Sequence, residues 1–332
     1  MTELSFAALR AGFEQAKSSR SEGLQSSSFC VAGGTVRISA VGHALAEAIT
    51  RPLAHLATAP GPAALTVDVW DAADCRVAPP VVPAAEGPGA VTSSPDGRFL
   101  VYERPGSVAV LDRASRHLVG CFESSSRLTL GDRARPLSVP LGVWCGDRDI
   151  QLIHAGLVAV GGDGVLLAGP SRAGKSTAAL ACACAGFDFV GEDFVALSGD
   201  LTGHGLFNSS LLDPVHLAGF PPLPPGTIDA GQPGDEKRLL FLDGARAAPI
   251  RLVALPLIVG SANSRTRPAT AGAALRRLAP GSLVKRAVPP RATLRRMAQL
   301  VDRVPSYWLE LDGALDRIAP RVERMLSEAG RR

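Results

Sequence analysis

At 332 residues the chain exceeds one average domain, which predicts two hydrophobic cores, each large enough to stand without disulfides. A net charge of +4, 5% aromatic residues and four lysines (Lys17, Lys175, Lys237, Lys285) leave no basic block interleaved with aromatics, so no nucleic-acid partner is expected. The six cysteines, Cys30, Cys75, Cys121, Cys145, Cys182 and Cys184, are scattered without CxxC or zinc-type His/Cys spacing, which predicts reduced thiols and a cytoplasmic protein.

The N-terminal stretch has no apolar segment followed by a small-residue cleavage site, and is not a signal peptide. The longest apolar run, LVALPLIVG at 252–260, is far short of the ~20 residues that cross a bilayer, so no membrane partner is expected. Residues 5–17 have helical apolar spacing, and the serine-rich stretch 18–28 reads as a loop. Two short strands around Gly33 and Gly34, a helix over 43–56 and a strand over 64–72 follow. Residues 78–97, rich in Pro, Gly and Ala, read as a long loop, after which RFLVYE, SVAVLD and HLVGCFE have the spacing of an antiparallel meander. Residues 1–140 are expected to form an α+β domain without a catalytic cluster.

Residues 141–332 predict an α/β domain. IHAGLVAV (153–160), the turn GGDG and VLLAG (165–169) form a hairpin leading into GPSRAGKST, with a helix over 176–186 behind it. Two strands, RLLFLD and RLVALPLIV, follow a proline-rich loop at 220–236, then helices over 270–279 and 291–303, the strand SYWLEL and a last helix over 313–329.

Gly169, Gly174, Lys175 and Ser176 fit G-x-x-x-x-G-K-[ST], with the strand before and the helix after that this motif requires. Backbone N–H groups of Gly169, Pro170, Ser171, Arg172, Ala173 and Gly174 (proline lacking one), with Lys175, Ser176 and Thr177, would cradle the phosphates of ATP at a helix N-terminus. Lys175 would reach the β- and γ-phosphates and Ser176 would ligate Mg²⁺. Glu192 and Asp193 close the stretch as adjacent carboxylates, one suited to the metal and one to accepting a proton from an attacking hydroxyl.

Residues 153–197 closely resemble the core of the HPr kinase/phosphorylase family and its serine-kinase-like relatives, a fold related to phosphoenolpyruvate carboxykinase. The resemblance implies that His154 lies near the transferred phosphate, that Glu192 is the general base in place of a family aspartate, one methylene longer, and that Asp193 joins Ser176 at the metal. Segments 209–221, 234–242 and 266–278 look like those of shorter relatives found in peptide-modifying gene clusters, which include lasso-peptide kinases. The glycine-rich signature tied to dephosphorylation is missing, and NSSLLDP stands roughly in its place. The implied function is ATP-dependent phosphorylation of a Ser or Thr hydroxyl on a peptide or small protein, with residues 1–140 binding substrate or mediating assembly. Homo-oligomers are common in the family. The alternatives are a nucleotide-binding regulator or scaffold, and a small-molecule phosphotransferase. Lys237 and Arg238 could add positive charge, with Arg265 and Arg267 weaker candidates; His204 and His216 have no such support.

Overall fold

The computed structural model describes residues 2–80, 91–261, 266–283 and 290–331. They belong to two compact units, Met1–Trp144 and Cys145–Arg332. In the first, helix α1 (Thr2–Ser19) buries Phe6, Leu9, Phe13 and Ala16, a stripe at helical spacing, in a cluster with Trp70. Gly12 permits the approach: a Cβ there would lie 2.9 Å from the Trp70 ring. Strands β1 (Leu24–Val31), β2 (Gly34–Val41), β3 (Leu65–Asp71), β4 (Val91–Ser93), β5 (Phe99–Arg104), β6 (Ser107–Asp112) and β7 (His117–Phe122) form a seven-stranded mixed sheet in the order β1-β2-β3-β7-β6-β5-β4.

Two expectations are corrected in this unit. Part of the serine-rich stretch is strand, because β1 is an edge whose Ser26 and Ser27 face water while its backbone pairs with β2. The expected helix over 43–56 is α2 (His43–Thr50) followed by a 3₁₀ segment (Arg51–Leu56), since Pro52 has no N–H to continue the α-helical ladder. Short helices α3 (Ala72–Cys75) and α4 (Leu130–Ala134) complete the unit, with α5 (Ser138–Asp147) after them. Residues 81–90 of the expected loop lie outside the described residues; β4 follows them.

The second unit is mixed α/β. Its main sheet runs β11 (Asp188–Gly191), β9 (Ala155–Val160), β10 (Asp163–Ala168), β17 (Ala247–Ile258), β13 (Thr202–Gly205), β12 (Val195–Leu197) and β8 (Gln151–Ile153). Strand β19 (Ser306–Leu311) also pairs with β17, and β18 (Arg267–Ala269) pairs with β19. Helices α6 (Lys175–Cys184) and α10 (Ile318–Ala329) cover one face, and α8 (Ala271–Leu283) and α9 (Pro290–Arg303) the other.

The strand period explains the division. Val165, Leu167, Leu252 and Ala254 join the α6/α10 core, while Leu166, Ala168, Val253 and Leu255 join the α8/α9 core. A strand buried on both faces has no polar face to show, hence the continuous apolar runs in the sequence. The segment between β13 and β17 holds a small sheet, β14 (Ser209–Leu212), β16 (Arg238–Phe241) and β15 (Ile228–Asp229), with helix α7 (Pro214–Leu217) after β14. Helix α8 does not stop at Pro280 as expected but runs on to Leu283. Among the described residues no helix is long and apolar enough to cross a membrane, and all six cysteines are unbridged.

Candidate active site

Strand β10 ends at Ala168, and Gly169 to Gly174 form the loop that α6 closes. Gly174 has φ 95 at the helix N-cap, and a Cβ there would lie 2.4 Å from Leu311 Cδ1, so only glycine fits both the left-handed backbone and the space. Arg172 is exposed and left-handed at φ 64. Ser171 is exposed beside it, and Thr177 is half-buried in the first turn of α6.

Lys175 is 6% exposed, and its Nζ donates to the carbonyls of Gly169 at 2.9 Å and Pro170 at 3.0 Å. Burial pushes its pKa down to about 8; the charge of Glu192 opposes this and that of Arg277 adds to it. Among the described residues the ammonium's hydrogen bonds go to these neutral carbonyls, an arrangement that gains from an anion in the loop.

Glu192 follows β11 and is 2% exposed. It accepts hydrogen bonds from Ser176 on one oxygen and from Ser210 on the other. Ser210 is set by β14–β16 pairing opposite Leu240, and Asn208 pins the strand entry by donating to the Leu242 carbonyl at 3.0 Å. The structure sets Ser176 against Glu192, while Asp193 turns toward His154. The physical reason is the turn after Glu192, where the Phe194 N–H donates to the Glu192 carbonyl at 2.7 Å across Asp193, whose φ is 62. A γ-turn with positive φ at its centre is rare and strained, and it directs the two carboxylates differently.

Asp193 meets His154. Ile153 pairs with Val195 across β8 and β12, so the residues beyond those strand ends face each other. The His154 ring donates from Nδ1 to the Asp193 carbonyl at 2.9 Å, and the Asp193 carboxylate lies 3.7 Å from the same nitrogen. A carbonyl only accepts, so Nδ1 carries a proton. Helix α8 seats the histidine from behind: the His154 N–H donates to Ser282 Oγ at 2.9 Å, and a Cβ on Gly281 would lie 2.7 Å from His154 Cδ2.

The loop, Lys175, Ser176, Glu192, Asp193 and His154 therefore converge at the ends of β8, β10, β11 and β12. Other candidates do not join them. Arg238 is engaged with Asp229 in the small sheet, Lys237 and His216 are exposed, and His204 hydrogen-bonds Ser198 at 3.3 Å, where burial lowers its pKa. Arg267 stacks on Trp308, 5.0 Å from the ring centroid, and Arg265 lies outside the described residues. Sequence reasoning missed Ser210, Gly281, Ser282 and Arg277, whose guanidinium lies beside Gly169. The only signal was the serine pair in NSSLLDP; nothing local marked the others.

No protein-family model and no curated protein matches the chain. Among solved structures it is similar to one described as the Hpr(Ser) kinase/phosphatase from Coxiella burnetii. Identity is 14%, the alignment covers 54% of this chain and 99% of that one, and the TM-score is 0.29.

Proposed function

We propose that the chain is an ATP-dependent kinase that transfers the γ-phosphate to a Ser or Thr hydroxyl of a peptide or small protein. The observation that carries this reading is the meeting, in one site, of a phosphate-binding loop with two carboxylates in different settings. One, Glu192, is buried on the P-loop serine, and the other, Asp193, lies beside a histidine.

The residues fit Mg-ATP. Lys175 is a buried cation with no carboxylate in ion-pair contact among the described residues, and the glycine cradle at 174 leaves no room for a side chain. Among the described residues no group of three or more His, Cys, Asp or Glu side chains could hold a metal. Mg²⁺ is suited to such a place, since it commonly takes one or two protein oxygens and completes its shell with water and substrate phosphates. Ser176 and Glu192 would hold it. Bound there, Mg²⁺ would neutralise charge developing on the phosphate oxygens.

Asp193 would accept the proton of the acceptor hydroxyl as its oxygen bonds the γ-phosphorus and the bond to the β–γ bridging oxygen breaks, releasing ADP. His154 orients the turn through its hydrogen bond to the Asp193 carbonyl. These roles exchange the ones expected from sequence, where Glu192 was the base and Asp193 the metal ligand. Peptide substrates, ribosomally made ones among them, and a homo-oligomeric state rest on the sequence resemblance alone. The cytoplasm is proposed from six unbridged thiols, of which Cys145 and Cys182 are pushed up to about 12 by burial.

The test is mass spectrometry of Ser- and Thr-containing peptides, including any encoded beside the gene, after incubation with Mg-ATP. A gain of one phosphate with wild type and none with Lys175→Ala supports a kinase. Lys175-dependent nucleotide binding without any transfer would replace it with a nucleotide-binding regulator.

A further inference from the structure

We propose that Arg277, on α8, is a second cationic ligand for the polyphosphate in the P-loop, and that Trp308 parks its guanidinium when no anion is bound. This rests on the reading of Gly169–Thr177 as a nucleotide site, and it adds a residue outside every segment of the motif.

Arg277 comes from the opposite face of the sheet to α6, yet reaches the loop. A Cβ built on Gly169 would lie 3.4 Å from Arg277 Nη2 and 3.8 Å from its Nε, so the guanidinium rests against the first glycine of the loop. Its hydrogen bonding is incomplete. Nη2 donates to the Pro256 carbonyl, while Nε is buried with no hydrogen-bond partner. Among the described residues no carboxylate pairs with it; the guanidinium lies 5.6 Å from the centroid of the Trp308 ring instead, and Arg267 lies 5.0 Å from the same centroid.

A half-buried guanidinium with an orphaned N–H, facing an indole already visited by another cation, is poorly compensated. Lys175 is the second cation nearby, its Nζ donating to the carbonyls of Gly169 and Pro170 in the same loop. Two such charges beside one Gly-rich loop repel each other unless an anion enters between them. A phosphate chain is the ligand chemistry that satisfies both, because the planar fork of arginine matches two phosphate oxygens and the lysine supplies a point charge. The orphaned Nε–H then gains an acceptor, and the ring contact at Trp308 loosens.

The experiment uses the full chain with Mg-ATP as probe, affinity by calorimetry, and the emission of Trp308, with Trp308→Phe identifying its share among three tryptophans. Arg277→Ala is expected to weaken Mg-ATP binding roughly ten- to a hundredfold, the range for a lost charge-assisted hydrogen bond, with Arg277→Lys between it and wild type. Saturation of wild type should change Trp308 emission. Affinity within twofold of wild type in Arg277→Ala overturns the inference and leaves the nucleotide site standing. Absence of Mg-ATP binding by wild type, or binding indifferent to Lys175→Ala, overturns the nucleotide reading and the inference with it. Should Arg277→Ala not fold, Arg277→Lys and the wild-type emission decide: unchanged affinity in the lysine variant, or silence of Trp308 on saturation, refutes the role.

Discussion

Replacing Lys175 by Met should stabilise the nucleotide-free protein near neutral pH while destroying its nucleotide binding. Burial moves the lysine from 10.5 to about 8, a displacement worth about 3 kcal/mol against the charged form in the folded state. Methionine removes that penalty but also two hydrogen bonds, to Gly169 and Pro170, each worth about 1 kcal/mol net. The balance is a gain of about 1 kcal/mol, or about 2–4 °C in Tm for a unit of this size.

The sign follows from proton counting. Between pH 8 and 10.5 the unfolded lysine is protonated more than the folded one, so wild-type stability rises with pH relative to the variant. The variant's advantage should therefore fade across that window, and titrations of groups common to both proteins cancel in the difference. Paired thermal or urea unfolding from pH 7 to 10.5 measures it. A variant less stable than wild type at pH 7 by 2 kcal/mol or more, or a difference flat across the window, would refute the claim that Lys175 is a strained buried cation.

Other substitutions separate the parts of the site. Ser210→Ala removes a hydrogen bond to buried Glu192 and should cost about 1–3 kcal/mol of stability, read by urea unfolding, while weakening Mg-ATP binding in calorimetry. Gly281→Ala improves helix propensity by about 1 kcal/mol but pushes a methyl into the His154 ring, so transfer rate should fall while Mg-ATP affinity stays within twofold. Gly174→Ala combines positive φ with a clash against Leu311, and should lower Tm and abolish nucleotide binding together.

The loop Gly169–Gly174 was legible in sequence because its pattern is local: a strand, a glycine-rich turn and a helix start within a dozen residues. So was the nearness of Glu192 and Asp193 to it. Which carboxylate faces Ser176 was not legible, since a single left-handed residue, Asp193, turns the pair in different directions. Ser210 and Arg277 were invisible for another reason. Ser210 reaches Glu192 only because β14 pairs with β16, and Arg277 reaches Gly169 only because α8 packs on the sheet. The serine-rich edge strand β1 and the continuation of α8 beyond Pro280 show the same limit, in which backbone pairing and packing override composition.

The exchange of roles between the two carboxylates is tested most directly by measuring phosphate transfer and Mg-ATP affinity side by side for Asp193→Asn and Glu192→Gln. Asp193→Asn should bind Mg-ATP within a fewfold of wild type and lose about 10²–10⁴ in transfer rate, the range for a removed general base, whereas Glu192→Gln should lose magnesium-dependent affinity first. Full transfer by Asp193→Asn, or intact Mg-ATP affinity in Glu192→Gln, would contradict a site that divides metal binding and proton removal between these neighbours.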